Sequence, residues 1–175
     1  MIHMIALQTT RLDLRPFSNS DLDDMSDLMA NPEFMQFSSG VFSRDQTAGF
    51  LDNVRARDRD DLPSQFAVIF RKDQRLIGYC GFFLQNVDGV EELEIGYRLH
   101  PSYWKQGIAT EAARAVRDHG FEDLRLAHLI SLIHPDNIAS RHVAEKNGMV
   151  REKETVFRGF PTIVFGITRG KESDL

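Results

Sequence analysis

The sequence contains a single cysteine, Cys80, which excludes a disulfide bond within the chain. It also lacks long hydrophobic runs: no apolar stretch approaches the roughly 20 residues that a membrane-spanning helix needs, and no charged-then-apolar signal segment leads the chain. Acidic residues outnumber basic ones, 26 against 21, which argues against nucleic acid as a main partner because phosphate backbones are bound largely by Lys and Arg. We therefore expect a cytoplasmic protein that binds neither membrane nor nucleic acid.

What the sequence does contain is ordinary for a globular domain. Hydrophobic residues make up 42% of the 175 residues and charged residues 27%, which suffices for one sizeable core. We predict a single domain over residues 1–175, with its core at about 9–169 and a loose tail at 170–175. The net charge of −5 suits a cationic substrate, although the same charge also serves solubility.

Alternation, capping residues and turn residues predict an α+β fold. The predicted strands cover residues 9–16, 66–70, 76–84, 93–99, 129–133, 149–156 and 163–168. The predicted helices begin at Ser18, Ser43, Gly107 and Asn137. A helix that connects strands four and five implies that these two are parallel. The expected sheet is therefore mixed and mostly antiparallel, with about seven strands, a central parallel pair and about four flanking helices.

The segment 94–110 organises this prediction. Leu93, Ile95, Tyr97 and Leu99 share one face of its strand, while Glu94, Gly96 and Arg98 share the other. The first turn of the next helix leaves N–H groups unpaired, and small residues at Gly107 and Ala109 would let them approach a phosphate. The alternative is an ordinary glycine-containing turn between a strand and a helix. The spacing fits neither a Walker loop nor the dinucleotide-binding glycine motif.

Four stretches in this order resemble the GNAT superfamily of N-acetyltransferases. They are the segments 10–16, 31–37, 103–112 and 137–148, which read TRLDLRP, NPEFMQF, YWKQGIATEA and NIASRHVAEKNG. The likeness is closer to the ribosomal-protein N-terminal acetyltransferase branch (RimJ/RimL-type) and spans roughly residues 9–169. It implies a GNAT fold, with transfer of an acetyl group from acetyl-CoA to a primary amine by direct attack in a ternary complex.

The resemblance implies that acetyl-CoA binds as co-substrate, with no metal, where the two parallel strands splay apart. Its diphosphate would rest on the loop and helix start formed by Trp104, Lys105, Gln106, Gly107, Ile108, Ala109 and Thr110. Its pantetheine arm would lie along Tyr97, Arg98 and Leu99, with Asn137 and Ser140 reaching it from the other strand. Lys105 departs from the pattern, because members of this branch often have glycine there.

Two residues can be interpreted without the resemblance. Gly96 removes a side chain in mid-strand, as expected where a ligand backbone approaches closely. Asn137 is explained equally well as the N-cap of the next helix, and that role is compatible with ligand contact. Arg11, Arg15 and Glu111 are interpreted as structural ion-pair residues.

The catalytic candidates are Glu94 and Ser140. Glu94 is the first candidate for the base, and His134 is the second; the alternatives are a carboxylate paired with Arg98 or solvated, and a His-Pro-Asp turn. Many GNAT enzymes have a tyrosine acid at a position that is Ala144 here. The branch that the sequence resembles has a serine near the sulfur, so the resemblance assigns the departing thiolate to Ser140, as a hydrogen-bond donor more than a proton source. The alternative for Ser140 is a small packing residue. A backbone amide near Leu99 resembles the family's oxyanion donor.

The resemblance leaves two alternatives for the acceptor, a protein or peptide N-terminal α-amine and a small-molecule amine such as a polyamine or an antibiotic. An α-amine, with a pKa of about 7.7–8.0, needs far less help from a base than a lysine-like amine, which is neutral in about one part per thousand. Phe34, Met35 and Phe37 either fill the core or line an acceptor pocket together with Glu94 and His134. Phe160-Pro161 replaces a His-Asp pair that is frequent in the family, so no acceptor role is expected in the last hairpin.

Two further questions stay open at this point. Because the tyrosine position and the His-Asp pair are both vacant, a CoA-binding sensor or interaction module without catalytic activity is the alternative function. The oligomeric state is left as monomer or homodimer.

Overall fold

The computed structural model describes residues 7–170, which form eight strands and four α-helices. The strands are β1 Leu7–Gln8, β2 Leu12–Arg15, β3 Gln65–Phe70, β4 Arg75–Val87, β5 Val90–Leu99, β6 His128–Ile133, β7 Val150–Phe157 and β8 Phe160–Thr168. The helices are α1 Leu22–Met29, α2 Arg44–Arg59, α3 Ile108–Glu122 and α4 Ile138–Lys146. The predicted tail covers residues 170–175. Of these, 171–175 lie outside the described residues.

All eight strands belong to one mixed sheet in the order β1-β2-β3-β4-β5-β6-β8-β7. Every pair is antiparallel except β5 and β6, which confirms the predicted central parallel pair. The sheet has one strand more than expected, because the two-residue β1 pairs with β2 ahead of the predicted first strand. The parallel pair therefore consists of the fifth and sixth strands of the described chain, where the fourth and fifth were predicted.

Helices cover both faces of this sheet. One core cluster joins α3 to the sheet through buried side chains such as Ile95, Leu99, Val116 and Leu129. A second cluster packs α1 and α2 against the opposite face, with Met25, Leu51 and Tyr79 among its members. Cys80 lies buried in the first cluster, and burial raises the pKa of its thiol, as suits the small packing residue that was expected. The alternation of β5 therefore places Glu94 on the α1/α2 face.

The parallel strands separate soon after they meet. Glu94 opposite Ile130 is the one register pair between β5 and β6 in the described chain. One residue later, the Ser131 hydroxyl donates a 2.8 Å hydrogen bond to the Ile95 carbonyl. In a regular parallel pair, a backbone amide of β6 would donate to this carbonyl instead. Beyond this point no register pair joins the C-terminal half of β5 to the end of β6 in residues 7–170, and we refer to this unpaired stretch as the gap. The gap lies at the carboxyl ends of the two parallel strands, where α/β proteins commonly bind ligands.

Candidate active site

The edge of β5 that borders the gap has unpaired backbone groups. Because the Ile95 carbonyl points at β6, alternation turns the backbone groups of Tyr97 and Leu99 to the same side. The Leu99 carbonyl accepts a 2.8 Å hydrogen bond from Trp104 Nε1. The remaining groups, the Tyr97 N–H and C=O and the Leu99 N–H, belong to residues without a register partner on β6, and they make no bond to a turn or loop of residues 7–170. An extended ligand with amide groups can pair with this edge as an added strand would.

The loop before α3 presents a row of free amides. Lys105 and Gly107 both adopt the left-handed backbone conformation, with φ of 59° and 76°. None of the N–H groups from Lys105 to Thr110 donates to another group of the described chain, and the first helical hydrogen bond runs from Glu111 N to the Gly107 carbonyl. The α3 dipole adds partial positive charge at this end. This geometry suits a bound anion such as a diphosphate.

The left-handed Lys105 explains how the loop tolerates its departure from the family pattern. A left-handed φ costs a residue with a Cβ about 1–2 kcal/mol but costs glycine almost nothing, which accounts for a preference for glycine at this place. The loop keeps the conformation and gains a lysine side chain. Lys105 is exposed, so its ammonium can reach a bound anion.

Arg11 fastens this loop to the start of β2. Its Nε lies 2.6 Å from a Glu111 carboxylate oxygen, and its Nη1 donates a 2.8 Å hydrogen bond to the Gln106 carbonyl. Burial raises the pKa of Glu111, but hydrogen bonds from Thr9 and Arg11 outweigh it and hold this pKa below its usual value. Arg15 pairs with Asp21 at 2.8 Å. Both arginines therefore make the ion pairs that their structural interpretation requires.

Asn137, Ser140 and Tyr97 meet on the α4 side of the gap. The Asn137 side chain accepts a 3.2 Å hydrogen bond from the Ser140 amide, so it is the N-cap of α4. The Tyr97 hydroxyl donates to the Ser140 carbonyl at 3.4 Å, and burial raises the pKa of this phenol. Tyr97 and Ser140 are therefore in contact across the gap, and each carries a hydroxyl group. Ala144, at the vacant tyrosine position, is buried in the core.

Glu94 is half-buried and held by hydrogen bonds. Gln85 Nε2 donates to its carboxylate at 2.7 Å, and the Leu132 backbone amide donates to it as well. Desolvation raises the pKa of Glu94. The hydrogen bonds from Gln85 and the Leu132 amide and the charges of Arg158 and Arg98 lower it, but their combined effect is smaller, so the pKa lies above its usual value. A carboxyl group with a raised pKa in a polar cleft is a candidate for proton transfer.

Arg98 does not form the ion pair with Glu94 that was considered as an alternative. Its Nη1 donates to the carbonyls of Phe34 and Gln36, at 3.1 and 2.6 Å. These bonds tie the segment between α1 and α2 to β5. Arg98 therefore acts on Glu94 only through its charge.

The connector between α1 and α2 divides into buried and exposed residues. Phe34 and Met35 are 2% and 6% exposed and belong to the second core cluster, whereas Phe37 is 48% exposed. The Phe37 ring lies 5.4 Å from the His134 ring, centroid to centroid. His134 Nδ1 accepts a 3.1 Å hydrogen bond from the Asp136 amide, as in a turn. Phe37 and His134 thus form an exposed ring pair at the end of β6, while Phe34 and Met35 fill the core.

The structure gives Gly96 another explanation than a close ligand. A Cβ on Gly96 would lie 2.9 Å from a ring carbon of Phe83, so the glycine makes room for this side chain. Sequence reasoning also missed Gln85 and Arg158, which join the last hairpin to Glu94: Arg158 Nη2 donates to Gln85 Oε1 at 3.1 Å. The available signal was a glutamine in an otherwise apolar strand segment, Phe82-Phe83-Leu84-Gln85.

The cavity of about 850 Å³ on the outer face of α3 is separate from this gap. Its lining includes Thr10, Arg11, Arg114 and Asp118, and it borders the segment from Trp104 to Thr110 only at Gly107 and Thr110. The helices of residues 7–170 include none long and apolar enough to span a membrane. In the same residues, no three His, Cys, Asp or Glu side chains are grouped as a metal site requires.

Comparison with known proteins identifies relatives of this chain. A family model for the acetyltransferase (GNAT) domain matches residues 11–150. An uncharacterized N-acetyltransferase of Bacillus subtilis, YnaD, is 31% identical over 147 residues, which cover 83% of both chains. A crystal structure of an acetyltransferase from Agrobacterium tumefaciens is 26% identical, covers 97% of both chains and superposes with a TM-score of 0.82.

A structure of RimL, a ribosomal L7/L12 α-N-protein acetyltransferase in complex with coenzyme A, shares the fold. Its TM-score is 0.79 over 94% of this chain and 98% of that one. At 17% identity, this likeness concerns the fold alone.

Proposed function

This chain belongs to the GNAT family of acetyltransferases and is an acetyl-CoA-dependent N-acetyltransferase, and we propose that its acceptor is the N-terminal α-amine of a protein or peptide. Acetyl transfer from acetyl-CoA to an amine follows from the family, so the proposal concerns which amine is used. The sensor alternative is set aside, because the family and the named relative are acetyltransferases.

The observation that carries the proposal is the charge around Glu94. Arg158 is linked to its carboxylate through Gln85, and Arg98 lies on the same face of β5, so two arginines belong to the surroundings of the place where an acceptor amine would lose its proton. A polyamine or an aminoglycoside would bring several more positive charges to this place. An α-amine brings one, and with a pKa of about 7.7–8.0 it is partly neutral at physiological pH. The local charge therefore opposes the cationic acceptor that the net charge of −5 suggests.

Membership of the RimJ/RimL-type branch is part of the same proposal. The resemblance of the segments 10–16 and 31–37 to this branch supports it. RimL, which shares the fold, is named as an acetyltransferase of the α-amine of a ribosomal protein. Acetyl-CoA would lie with its diphosphate on the amides from Lys105 to Thr110 and its pantetheine arm along Tyr97 and Leu99. Their unpaired backbone groups support this placement.

In the proposed reaction, the neutral amine nitrogen attacks the thioester carbonyl carbon, a C–N bond forms and the C–S bond breaks. The Glu94 carboxylate accepts the proton that the amine loses, directly or through a water. The Leu99 amide donates a hydrogen bond to the carbonyl oxygen as negative charge develops on it. The Ser140 hydroxyl donates to the departing thiolate. The raised pKa of Glu94 suits this role, because a base works best when its pKa approaches the working pH.

The experiment measures thiol release from acetyl-CoA with three sets of acceptors. These are peptides with a free N-terminus, the same peptides blocked at the N-terminus but containing lysine, and a group of polyamines and aminoglycosides. We expect the highest kcat/KM for the free α-amines, with the acetyl group located there by mass spectrometry. An equal or higher kcat/KM for lysine side chains or polycations would overturn the proposal.

A further inference from the structure

The turn between β7 and β8 carries an arginine where its backbone favours other residues. Arg158 and Gly159 form a two-residue hairpin loop with φ of 50° and 84°, both left-handed. The loop between β4 and β5 has nearly the same geometry at Asp88 and Gly89, with φ of 52° and 86°. Asp-Gly is a preferred sequence for such a turn, whereas a long side chain at the first position is not. The turn therefore tolerates Arg158 at a cost, which indicates a role for its side chain.

The guanidinium of Arg158 is held in place but mostly unused. It donates one hydrogen bond, from Nη2 to Gln85 Oε1 at 3.1 Å, and it lies 5.0 Å above the Phe157 ring. No carboxylate of the described chain forms an ion pair with it within 4.0 Å. A guanidinium has five N–H donors in a planar fork that matches a carboxylate. Because Arg158 is exposed, most of these donors are accessible.

The position of Arg158 relates it to the reacting amine. Gln85 is 8% exposed and bridges the two groups, since its amide accepts from Arg158 and donates to Glu94 at 2.7 Å. The guanidinium is thus two hydrogen bonds away from the proposed base. An extended peptide spans about 3.3–3.6 Å per residue, so a group near Arg158 would belong to roughly the second or third residue of an acceptor whose amine lies at Glu94.

We propose that Arg158 is a specificity residue that binds a carboxylate of the acceptor, so that this enzyme prefers amines with an acidic group one or two residues away. The proposal rests on the proposed function and names the class of peptide that this site accepts. The acceptor carboxylate would accept hydrogen bonds from the guanidinium N–H groups that do not contact Gln85. Gln85 and Phe157 would keep the guanidinium in place.

The test compares acceptors that differ only in one charge. Peptide pairs carry Asp or Asn at the second, third or eighth position, and a second set compares small-molecule amines that carry a carboxylate at the same distance, such as long-chain ω-amino acids, with their carboxamides. The wild-type protein is expected to prefer the acid at the second or third position by about fivefold in kcat/KM, with no preference at the eighth. This preference should weaken as salt is added, because exposed charges are screened.

The informative variant is Arg158→Asn. Asparagine tolerates the left-handed turn, so the thermal midpoint should be equal to or above that of the wild type, while the preference for acids falls to about one. Arg151→Asn is the matched control: it removes an exposed arginine from the same hairpin and should retain the preference.

Each outcome distinguishes this inference from the proposed function. Peptides acetylated equally with Asp and Asn, or a preference retained in Arg158→Asn, would overturn the inference and leave the α-amine proposal standing. If no peptide is acetylated but ω-amino acids are preferred over their carboxamides in an Arg158-dependent way, the inference stands and the peptide proposal fails. Absence of turnover with every amine would overturn both.

Discussion

The side-chain amide of Gln85 donates a 2.7 Å hydrogen bond to the carboxylate of Glu94, and the two residues lie on the paired strands β4 and β5, the second of which borders the gap. The bond favours the ionised carboxylate, whereas desolvation favours the protonated one and prevails. Gln85 therefore tunes the pH range in which Glu94 can accept a proton.

Replacement of Gln85 by leucine should move the acidic limb of the pH–kcat profile to higher pH. The variant removes a hydrogen bond that lowers the pKa of Glu94, so this pKa rises further and the carboxylate is protonated over a wider range. At pH values below the limb we expect kcat to fall by about tenfold, since a hydrogen bond to a charged group contributes at least about 1.5 kcal/mol. The profile is measured with a peptide acceptor.

Gln65→Leu is the matched control for this prediction. Gln65 is another buried glutamine of the same sheet, and its amide donates to the Phe82 carbonyl. Its loss should lower stability without moving the limb. Glu94→Gln should remove the limb altogether, and a limb that stays in place in both Gln85→Leu and Glu94→Gln would exclude Glu94 as the base.

Gly107→Ala should weaken the binding of acetyl-CoA. Its φ of 76° is left-handed, so a Cβ there costs about 1–2 kcal/mol or shifts the loop whose amides are proposed to bind the diphosphate. We expect Kd for acetyl-CoA to rise about tenfold by calorimetry. Gly89→Ala has a similar backbone cost at φ of 86° in open space, and it should lower stability but leave Kd unchanged. Equal Kd values for the two variants would contradict the loop assignment.

Ser140→Ala should lower kcat while Kd for acetyl-CoA stays within about twofold. The hydroxyl is proposed to stabilise the departing thiolate, and a hydrogen bond to a charged group that forms only during the reaction affects kcat more than binding; we expect a loss of about tenfold. Tyr97→Phe is the decisive comparison, because the Tyr97 hydroxyl reaches the Ser140 carbonyl across the gap. A larger loss of kcat in Tyr97→Phe than in Ser140→Ala would assign the thiolate to the tyrosine.

His128 should make stability depend on pH. Partial burial lowers its pKa, but hydrogen bonds and charge from Glu152 and Glu92 outweigh this, so the folded-state pKa lies above the ordinary value of about 6.5. The stabilisation is therefore fully present below about pH 6.5 and is lost as pH rises through the raised pKa. The contacts measure 2.8 Å to Glu152 and 3.2 Å to Glu92.

His128→Gln should accordingly lower the thermal midpoint at pH 6 by about 2–4 °C, and the difference should shrink towards pH 9. Thermal unfolding of both proteins across this range checks the sign. His142→Gln, which changes an exposed histidine of α4, should show no such trend. A difference that grows with pH would contradict the ion-pair account.

Local patterns predicted the elements that surround the gap. The alternation of β5 separated Ile95 and Leu99 from Glu94, and the small residue Gly107 marked the start of α3. Ser43 and Gln46 form the capping box that begins α2, as their spacing indicates. Such features depend on neighbours within a few residues, which the sequence states directly.

The missed features depend on contacts between distant residues. Arg158 and Gln85 are 73 positions apart, and only the order of strands in the sheet brings them together. The sequence around Gly96 does not indicate the Phe83 ring that lies beside it, because this ring comes from the paired strand. The two-residue β1 is too short for alternation to indicate it.

The most direct test of the account is a crystal structure of this protein with bound acetyl-CoA. The account predicts that the diphosphate contacts the amides between Lys105 and Thr110 and that the pantetheine arm pairs with Tyr97 and Leu99 in the gap between β5 and β6. A co-substrate bound instead in the cavity on the outer face of α3, with the gap unoccupied, would contradict it.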